Sequence, residues 1–506
     1  MFVRMLYDES LAQASYLIGC PGSGEAIVID PERDVDRYIE LASREKLRIT
    51  HAAETHVHAD FLSGVRELAH RVGAIPCVSA EGGDDWTPRW LKDSPVPPRR
   101  LRHNDIIQLG GVRIRAIHTP GHTPEHLCFE LTDTAQHPSD NATTEPMGLL
   151  TGDFVFVGDL GRPDLLETAV GQTGAMEPAA RELHRSAAAF LELPDFLQVW
   201  PGHGAGSACG KNLGSVPQST VGYERRYNAA LRAVPDADAF VAELLAGQPE
   251  PPPYFARMKQ LNLEGPPVLG ALPTPPRLSL SETLQLQGQH QHQAAVLLDT
   301  RLWNDFRQGH LKGALNTPLD RHYSTVAASY IDADSPIVLI AQDADIAPAG
   351  QGLIRVGLDR IVGVLDPAEL DHANAGVETQ SIPEIDAPEA ARRAAAGEAL
   401  LLDVRRAAEH AQGHPAGSAN ITHVHLRQRL AELYDTNETV TDRPAADRPI
   451  IVSCLTGARS ARAAALLQRE GFNVTNMQGG YEAWNDAGLP IERSTLQCRT
   501  TGQAAR

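Results

Sequence analysis

The chain of 506 residues lacks any excess of basic charge: 64 acidic residues stand against 45 lysines and arginines, a formal charge of −19. Nucleic acid and anionic membranes need a basic face, so both are disfavoured as partners and small-molecule chemistry is the expected class. A long apolar run able to span a bilayer is also missing. The opening MFVRMLYD has no basic segment leading into an apolar core and cleavage site, and a cytoplasmic protein is expected. Cysteine is scarce. The six residues (Cys20, Cys77, Cys128, Cys209, Cys454, Cys498) form no CxxC pair, which argues against a disulfide framework or a structural zinc site and leaves single thiols for chemistry.

The length is too great for one hydrophobic core, and about three domains are expected. In the first 246 residues, four turns carry histidine or aspartate after short apolar strand-like runs. They are Thr55-His56-Val57-His58-Ala59-Asp60-Phe61, His118-Thr119-Pro120-Gly121-His122, Thr151-Gly152-Asp153 and Pro201-Gly202-His203-Gly204. Loops at strand ends display ligands while the scaffold fixes them, so this series predicts a metal centre. The order HxHxD, H, D, H resembles the metallo-β-lactamase superfamily, whose fold is an αββα sandwich with metal at one end of two packed sheets.

Most members of that superfamily have histidine directly after the aspartate, and it joins Asp60 and the last histidine in holding a second metal. Here the position is Phe61. The loss favours a single metal with open positions, and two histidines with one carboxylate is a ligand set of non-haem Fe(II) enzymes. The resemblance narrows to the persulfide dioxygenase branch, related to glyoxalase II. It implies one Fe(II) per chain, held by His56, His122 and Asp153, with His58, Asp60 and His203 orienting the ligands. The run Gly161-Arg162-Pro163-Asp164-Leu165 matches the branch's GRxDL and implies substrate contacts for Arg162 and Asp164. Pro252 to Lys259 resembles a tail segment found near the substrate pocket. Cys209, in a small-residue loop six positions after His203, is a candidate sulfur relay. His118 and His126 are expected to be structural or to support the ligands.

Prolines crowd residues 247–277, which are expected to be a tail or linker. The chain then repeats itself. Leu298-Asp299-Thr300-Arg301 and Leu402-Asp403-Val404-Arg405 are each followed by Gly-His (His310, His414) and then asparagine (Asn316, Asn420) at matching offsets. The pattern resembles the rhodanese family and implies two α/β domains, at 278–375 and 383–496. Only the second copy has a nucleophile. Ile450 to Ser453 leads into Cys454-Leu455-Thr456-Gly457-Ala458-Arg459-Ser460, a loop that curls backbone N–H groups around sulfur at a helix N-terminus and predicts a thiolate that carries persulfide. Arg459 is expected beside it as a catalytic group and Gly457 at the substrate. The first copy has Ala341 at the cysteine position and is expected to be inactive.

The fold class expected is α/β multidomain. The resemblance implies oxidation of a low-molecular-weight thiol persulfide by O₂ to sulfite, with transfer of sulfane sulfur through Cys454 to form thiosulfate. A homo-oligomer, dimer or tetramer, is expected. The rivals are a zinc thioester hydrolase of the glyoxalase II kind fused to rhodanese units, and a non-enzymatic sulfur-sensing or docking role for the rhodanese pair.

Overall fold

Alternate residues of the apolar strand Gln13–Cys20 serve two different cores. Ala14, Tyr16, Ile18 and Cys20 face one way, while Leu17 faces the other. A period of two with both faces buried places such a strand inside a layered structure rather than at its surface. In the computed structural model, which describes residues 1–134, 145–168, 171, 173–288, 294–372, 378–435 and 448–494, this strand is the second of a six-stranded sheet. Most of the polar run at 132–148, residues 436–447 and Cys498 lie outside the described residues.

The first sheet runs β1 (Phe2–Asp8), β2 (Gln13–Cys20), β3 (Glu25–Ile29), β4 (Arg48–Ala53), β5 (Ile75–Ser79) and β6 (Arg99–Leu101) in spatial order. A second has the order β12-β11-β10-β9-β8-β7, with β7 (Ile106–Leu109), β8 (Val112–His118), β9 (Leu127–Asp133), β10 (Gly148–Gly152), β11 (Gln198–Pro201) and β12 (Ser219–Thr220). Ile18, Ile27 and Ile29 from one sheet meet Ile114, Phe129, Leu150 and Trp200 from the other in the central core. On the outer face of the first sheet, Leu17 and Val28 pack with Tyr38 and Leu41 of helix Asp36–Arg44 and Leu68 of helix Val65–Val72. On the outer face of the second, Leu149 and Val199 pack with Leu183 of helix Met176–Phe190 and Phe240 of helix Ala237–Leu245. This is the αββα sandwich.

The chain divides into two compact units. The first comprises Met1–Thr274 together with Asp320–Ala328 and Gly350–Asp359; the second comprises Pro275–Leu319, Ser329–Ala349 and the chain from Arg360 onward. Of residues 247–277, expected to be a tail or linker, those up to Thr274 belong to the first unit and the rest to the second. Their prolines flank a helix, Phe255–Glu264, whose buried residues Phe255, Met258, Lys259 and Asn262 recur at helical spacing and fix it in the first unit. The expected 278–375 domain is likewise divided between the two units.

In the second unit each repeat supplies a parallel sheet. Val296–Asp299 lies between Leu315–Asn316 and Ile337–Ile340, and Leu400–Asp403 lies between Ala419–Asn420 and Ile450–Ser453. The repeated residues close the same hydrogen bonds in both copies. Arg301 pairs with Asp299 and reaches Gly309 O, as Arg405 pairs with Asp403 and reaches Gly413 O. Asn316 donates to the carbonyls of Asp299 and Arg301, as Asn420 does to those of Asp403 and Arg405. The motif is a strand-end lock for buried backbone. Among the described residues, no helix is long and apolar enough to cross a membrane.

Candidate functional site

β4 ends at Ala53, and the turn that follows carries His56, His58 and Asp60. β8 and β10 end at His118 and Gly152 and deliver His122 and Asp153. His56, His122 and Asp153 are buried, and one donor atom from each lies within 4.8 Å of the other two. Asp153 Oδ2 is 3.9 Å from His56 Nε2 and 3.7 Å from His122 Nε2. Burial pushes both imidazoles below their ordinary pKa, far below for His56, so they face Asp153 as neutral rings and not as ion-pair partners.

The remaining nitrogen of each ring is committed elsewhere. His122 Nδ1 donates to Arg162 O at 3.0 Å. Thr55 Oγ1 gives its proton to Asp30 Oδ2 (2.9 Å) and therefore accepts from His56 Nδ1 (2.9 Å). Each bond leaves Nε2 as the free lone pair. Asp153 Oδ2 is buried with no hydrogen-bond partner. Two imidazole lone pairs and an orphaned carboxylate oxygen facing one point are what a divalent metal satisfies, and a His/His/Asp set with open positions fits these residues.

Asp30, Asn262 and Arg355, which help hold this set, were not singled out in the sequence, whereas His126 was expected to be structural or to support the ligands. Asp30, at φ 52° beyond β3, also accepts the Thr55 N–H and bonds His58 Nε2 at 3.1 Å. That carboxylate raises the His58 pKa to about 9 against the opposing effect of burial. His126 Nε2 accepts the Asp153 N–H, and Thr119 Oγ1 bonds its other nitrogen. Asn262 donates to the carbonyls of His58 and Phe61 and accepts from Ser63 N, clamping the ligand loop from helix Phe255–Glu264. Arg355 O accepts Leu62 N–H at 2.7 Å. Gly161 is required here: a Cβ would stand 1.7 Å from Asp153 O.

His203 lies between carboxylates, with Nδ1 2.6 Å from Asp153 Oδ1 and Nε2 2.7 Å from Asp60 Oδ2. Burial disfavours its charge, but the two carboxylates prevail and raise its pKa well above the ordinary value. Phe61 is fully buried, its ring centroid 4.3 Å from that of His58. Arg162 and Asp164, expected at the substrate, form a buried pair: the guanidinium donates to both Asp164 oxygens (2.8 and 2.6 Å) and to Ala208 O (3.0 Å). With Arg162 only 1% exposed, that pair ties the turn after Asp153 to the loop carrying Cys209. Cys209 is itself buried, and burial with the Asp153 and Asp60 charges pushes its thiol well above the ordinary range. Beside the ligand loop, Glu125 Oε1 accepts Val57 N–H at 2.7 Å and Lys259 Nζ stands 3.7 Å over the Trp86 ring. Burial raises Glu125 to about 7 and lowers Lys259 to about 8.

In the second unit, register identifies the nucleophile position. Asp403 pairs with Ser453 as Asp299 pairs with Ile340, so Cys454 and Ala341 are equivalent. Gly457, at φ 110°, turns its N–H to Cys454 Sγ at 3.1 Å, and Ser460 Oγ donates to the same sulfur at 3.5 Å. Arg459 holds both Glu409 oxygens at 2.7 Å. Tyr481 N donates to Cys454 O at 2.7 Å, and a Cβ on Gly480 would meet the Cys454 and Leu455 carbonyls at 2.5 Å, so the Gly-Gly-Tyr turn closes on the cysteine loop only as glycine.

A model of the rhodanese-like domain matches residues 279–367 and 386–487, and one of the metallo-beta-lactamase superfamily matches residues 10–134. A crystal structure of a metallo-beta-lactamase from Staphylococcus aureus is 40% identical with a TM-score of 0.64, covering 72% of this chain and 99% of that one. A mitochondrial persulfide dioxygenase of Bos taurus is 25% identical, covering 46% of this chain and 76% of its own. A hydroxyacylglutathione hydrolase-like protein of Mus musculus is 27% identical, covering 46% and 81%.

Proposed function

We propose, for a chain that belongs to the metallo-beta-lactamase superfamily and joins that fold to two rhodanese-like domains, a persulfide dioxygenase with a sulfurtransferase in the same polypeptide. The observation that carries the reading is the pairing of two sites. One is a buried set of two neutral imidazoles and a carboxylate, with phenylalanine where a further nitrogen ligand would stand; the other is a cysteine loop built for sulfur.

His56, His122 and Asp153 would hold a single Fe(II), which supplies open positions where dioxygen and a persulfide sulfur meet. The net reaction is RSSH + O₂ + H₂O → RSH + SO₃²⁻ + 2H⁺, with sulfane sulfur oxidised and dioxygen reduced. The chain's own groups fix the donors: Arg162 O and Thr55 Oγ1 set the tautomers of His122 and His56, and His126 Nε2 anchors the Asp153 backbone. In the second unit the Cys454 sulfur attacks the outer sulfur of a persulfide, releasing the thiol, and yields that sulfur to sulfite as thiosulfate. The Gly457 N–H and Ser460 hydroxyl stabilise the sulfur between these steps. Likeness to the bovine persulfide dioxygenase supports this substrate class.

The second reading, a metal-dependent thioester hydrolase, is favoured by the likeness to the hydroxyacylglutathione hydrolase-like protein. Product analysis with glutathione persulfide separates the two. His122→Ala should abolish oxygen uptake and leave thiosulfate:thiol transfer intact. Cys454→Ser should leave oxygen uptake intact with sulfite as the final product. Persulfide-independent hydrolysis of S-lactoylglutathione, without oxygen uptake, would replace the proposal with the second reading.

A further inference from the structure

The two guanidinium groups beside the sulfur loop are both engaged by carboxylates. Arg405 is buried, gives its N–H groups to Asp403 and to Gly413 O, and lies over the Tyr481 ring at 4.2 Å. Arg459 is held end-on: Nη1 donates to Glu409 Oε2 and Nη2 to Glu409 Oε1, each at 2.7 Å. The donors that reach Cys454 Sγ are neutral, the Gly457 N–H and the Ser460 hydroxyl.

Glu409 is carried by helix Ala407–Gln412, and its Oε2 also accepts the Arg406 N–H at 3.1 Å. The carboxylate therefore keeps a partner if the guanidinium leaves it. Both side chains reach solvent, Arg459 at 18% and Glu409 at 30% exposure, so the pair can part without stranding a buried charge. Arg459 also lies within electrostatic reach of Cys454. A sulfonate presents two oxygens across one sulfur much as a carboxylate presents two across one carbon, and one edge of a guanidinium takes one such fork at a time. Glu409 thus occupies the edge of Arg459 that an incoming sulfur oxyanion needs.

We propose that Glu409 is a specificity-determining residue of the sulfurtransferase: an internal competitor for Arg459 that weakens the hold on the dianions sulfite and thiosulfate and leaves transfer to acceptors without an oxyanion untouched. This role rests on the sulfurtransferase reading of Cys454. When thiosulfate binds, its oxygens replace the Glu409 carboxylate on Arg459. The Cys454 thiolate bonds the outer sulfur, the S–S bond of thiosulfate breaks, and its electron pair leaves with sulfite; the reverse step forms thiosulfate. Glu409 acts on the same dianion-bound transition state in either direction and slows both alike. What it secures is release of thiosulfate, the product, from a loop that must take up the next persulfide.

Anaerobic thiosulfate:cyanide transfer by the full-length chain is the test, because kcat/KM for each substrate reads its own half-reaction. Cyanide takes the outer sulfur of the cysteine persulfide as thiocyanate and returns Cys454 to thiolate. Glu409→Gln, which keeps an acceptor for the Arg406 N–H, should raise kcat/KM for thiosulfate roughly three- to fivefold, the range a partly exposed ion pair is worth, and leave kcat/KM for cyanide unchanged. Arg459→Gln should lower the thiosulfate constant, and the gain from Glu409→Gln should vanish in that background. A thiosulfate constant that does not rise in Glu409→Gln, a gain that persists without Arg459, or a fall of both constants in Glu409→Gln and Glu409→Ala alike overturns the proposal. Thiocyanate formation that survives Cys454→Ser sinks the sulfurtransferase reading itself, whatever Glu409 does.

Discussion

Single side chains set the metal centre through bonds that are short in space and long in sequence. Asn262 of helix Phe255–Glu264 makes three hydrogen bonds to the His58–Ser63 backbone. Asn262→Ala leaves those buried groups unsatisfied and should cost about 1–3 kcal/mol, with weaker metal retention, read by denaturant unfolding and by chelator competition. Glu125 bears on pH. Burial raises its pKa from 4.5 to about 7 in the folded chain, so between those values the folded state holds a proton that the unfolded state has lost. Stability from this group therefore falls as pH rises through that window, by up to about 3 kcal/mol. Glu125→Gln, which keeps an acceptor for Val57 N–H, should flatten that slope, and an unchanged slope in pH-dependent urea melts would contradict it.

What the sequence revealed at this scale follows from range. His56, His58 and Asp60 are legible because their spacing of two is local, and Cys454 because its loop is continuous. Asp30, Asn262 and Arg355 support the same centre from remote positions, and their residue types alone do not announce it. Phe61 was informative about the missing nitrogen but silent about Cys209, which approaches Asp60 only through the folding of β11 and its loop.

At the level of elements, turns at the ends of β4, β8, β10 and β11 do the positioning, and each is braced by a neighbour. The helix Phe255–Glu264 escaped a reading based on proline density because the prolines lie outside it, while its buried positions follow helical spacing. The end of helix Asp343–Arg355 is a second brace within the first unit. The Arg355 guanidinium is buried against Asp8, Glu32 and Asp34, and its carbonyl holds Leu62. Burial raises Glu32 to about 8 even with this cation beside it. Arg355→Met leaves three buried carboxylates without that partner and should destabilise the first unit by about 3–5 kcal/mol. A loss below about 1 kcal/mol in its unfolding transition would show that the cluster relaxes without the arginine.

At the scale of the whole molecule, one chain carries an αββα metal domain and two copies of a rhodanese-like sheet, only one of which has a thiol. The repeat was legible because its DxR, Gly-His and Asn residues close one set of backbone bonds in both copies. The division into compact units was not: Asp320–Ala328 and Gly350–Asp359 belong with the first unit although they fall inside the first repeat, a partition that depends on packing and leaves no mark in composition. On the proposed reading, joining the two activities in one chain would raise the local concentration of sulfite around Cys454. Oxygen-electrode measurement on the iron-loaded chain with glutathione persulfide tests the central claim most directly. The account predicts one O₂ consumed per persulfide oxidised, with sulfite and thiosulfate accounting for the sulfur. No oxygen uptake by protein holding a full equivalent of iron would contradict it.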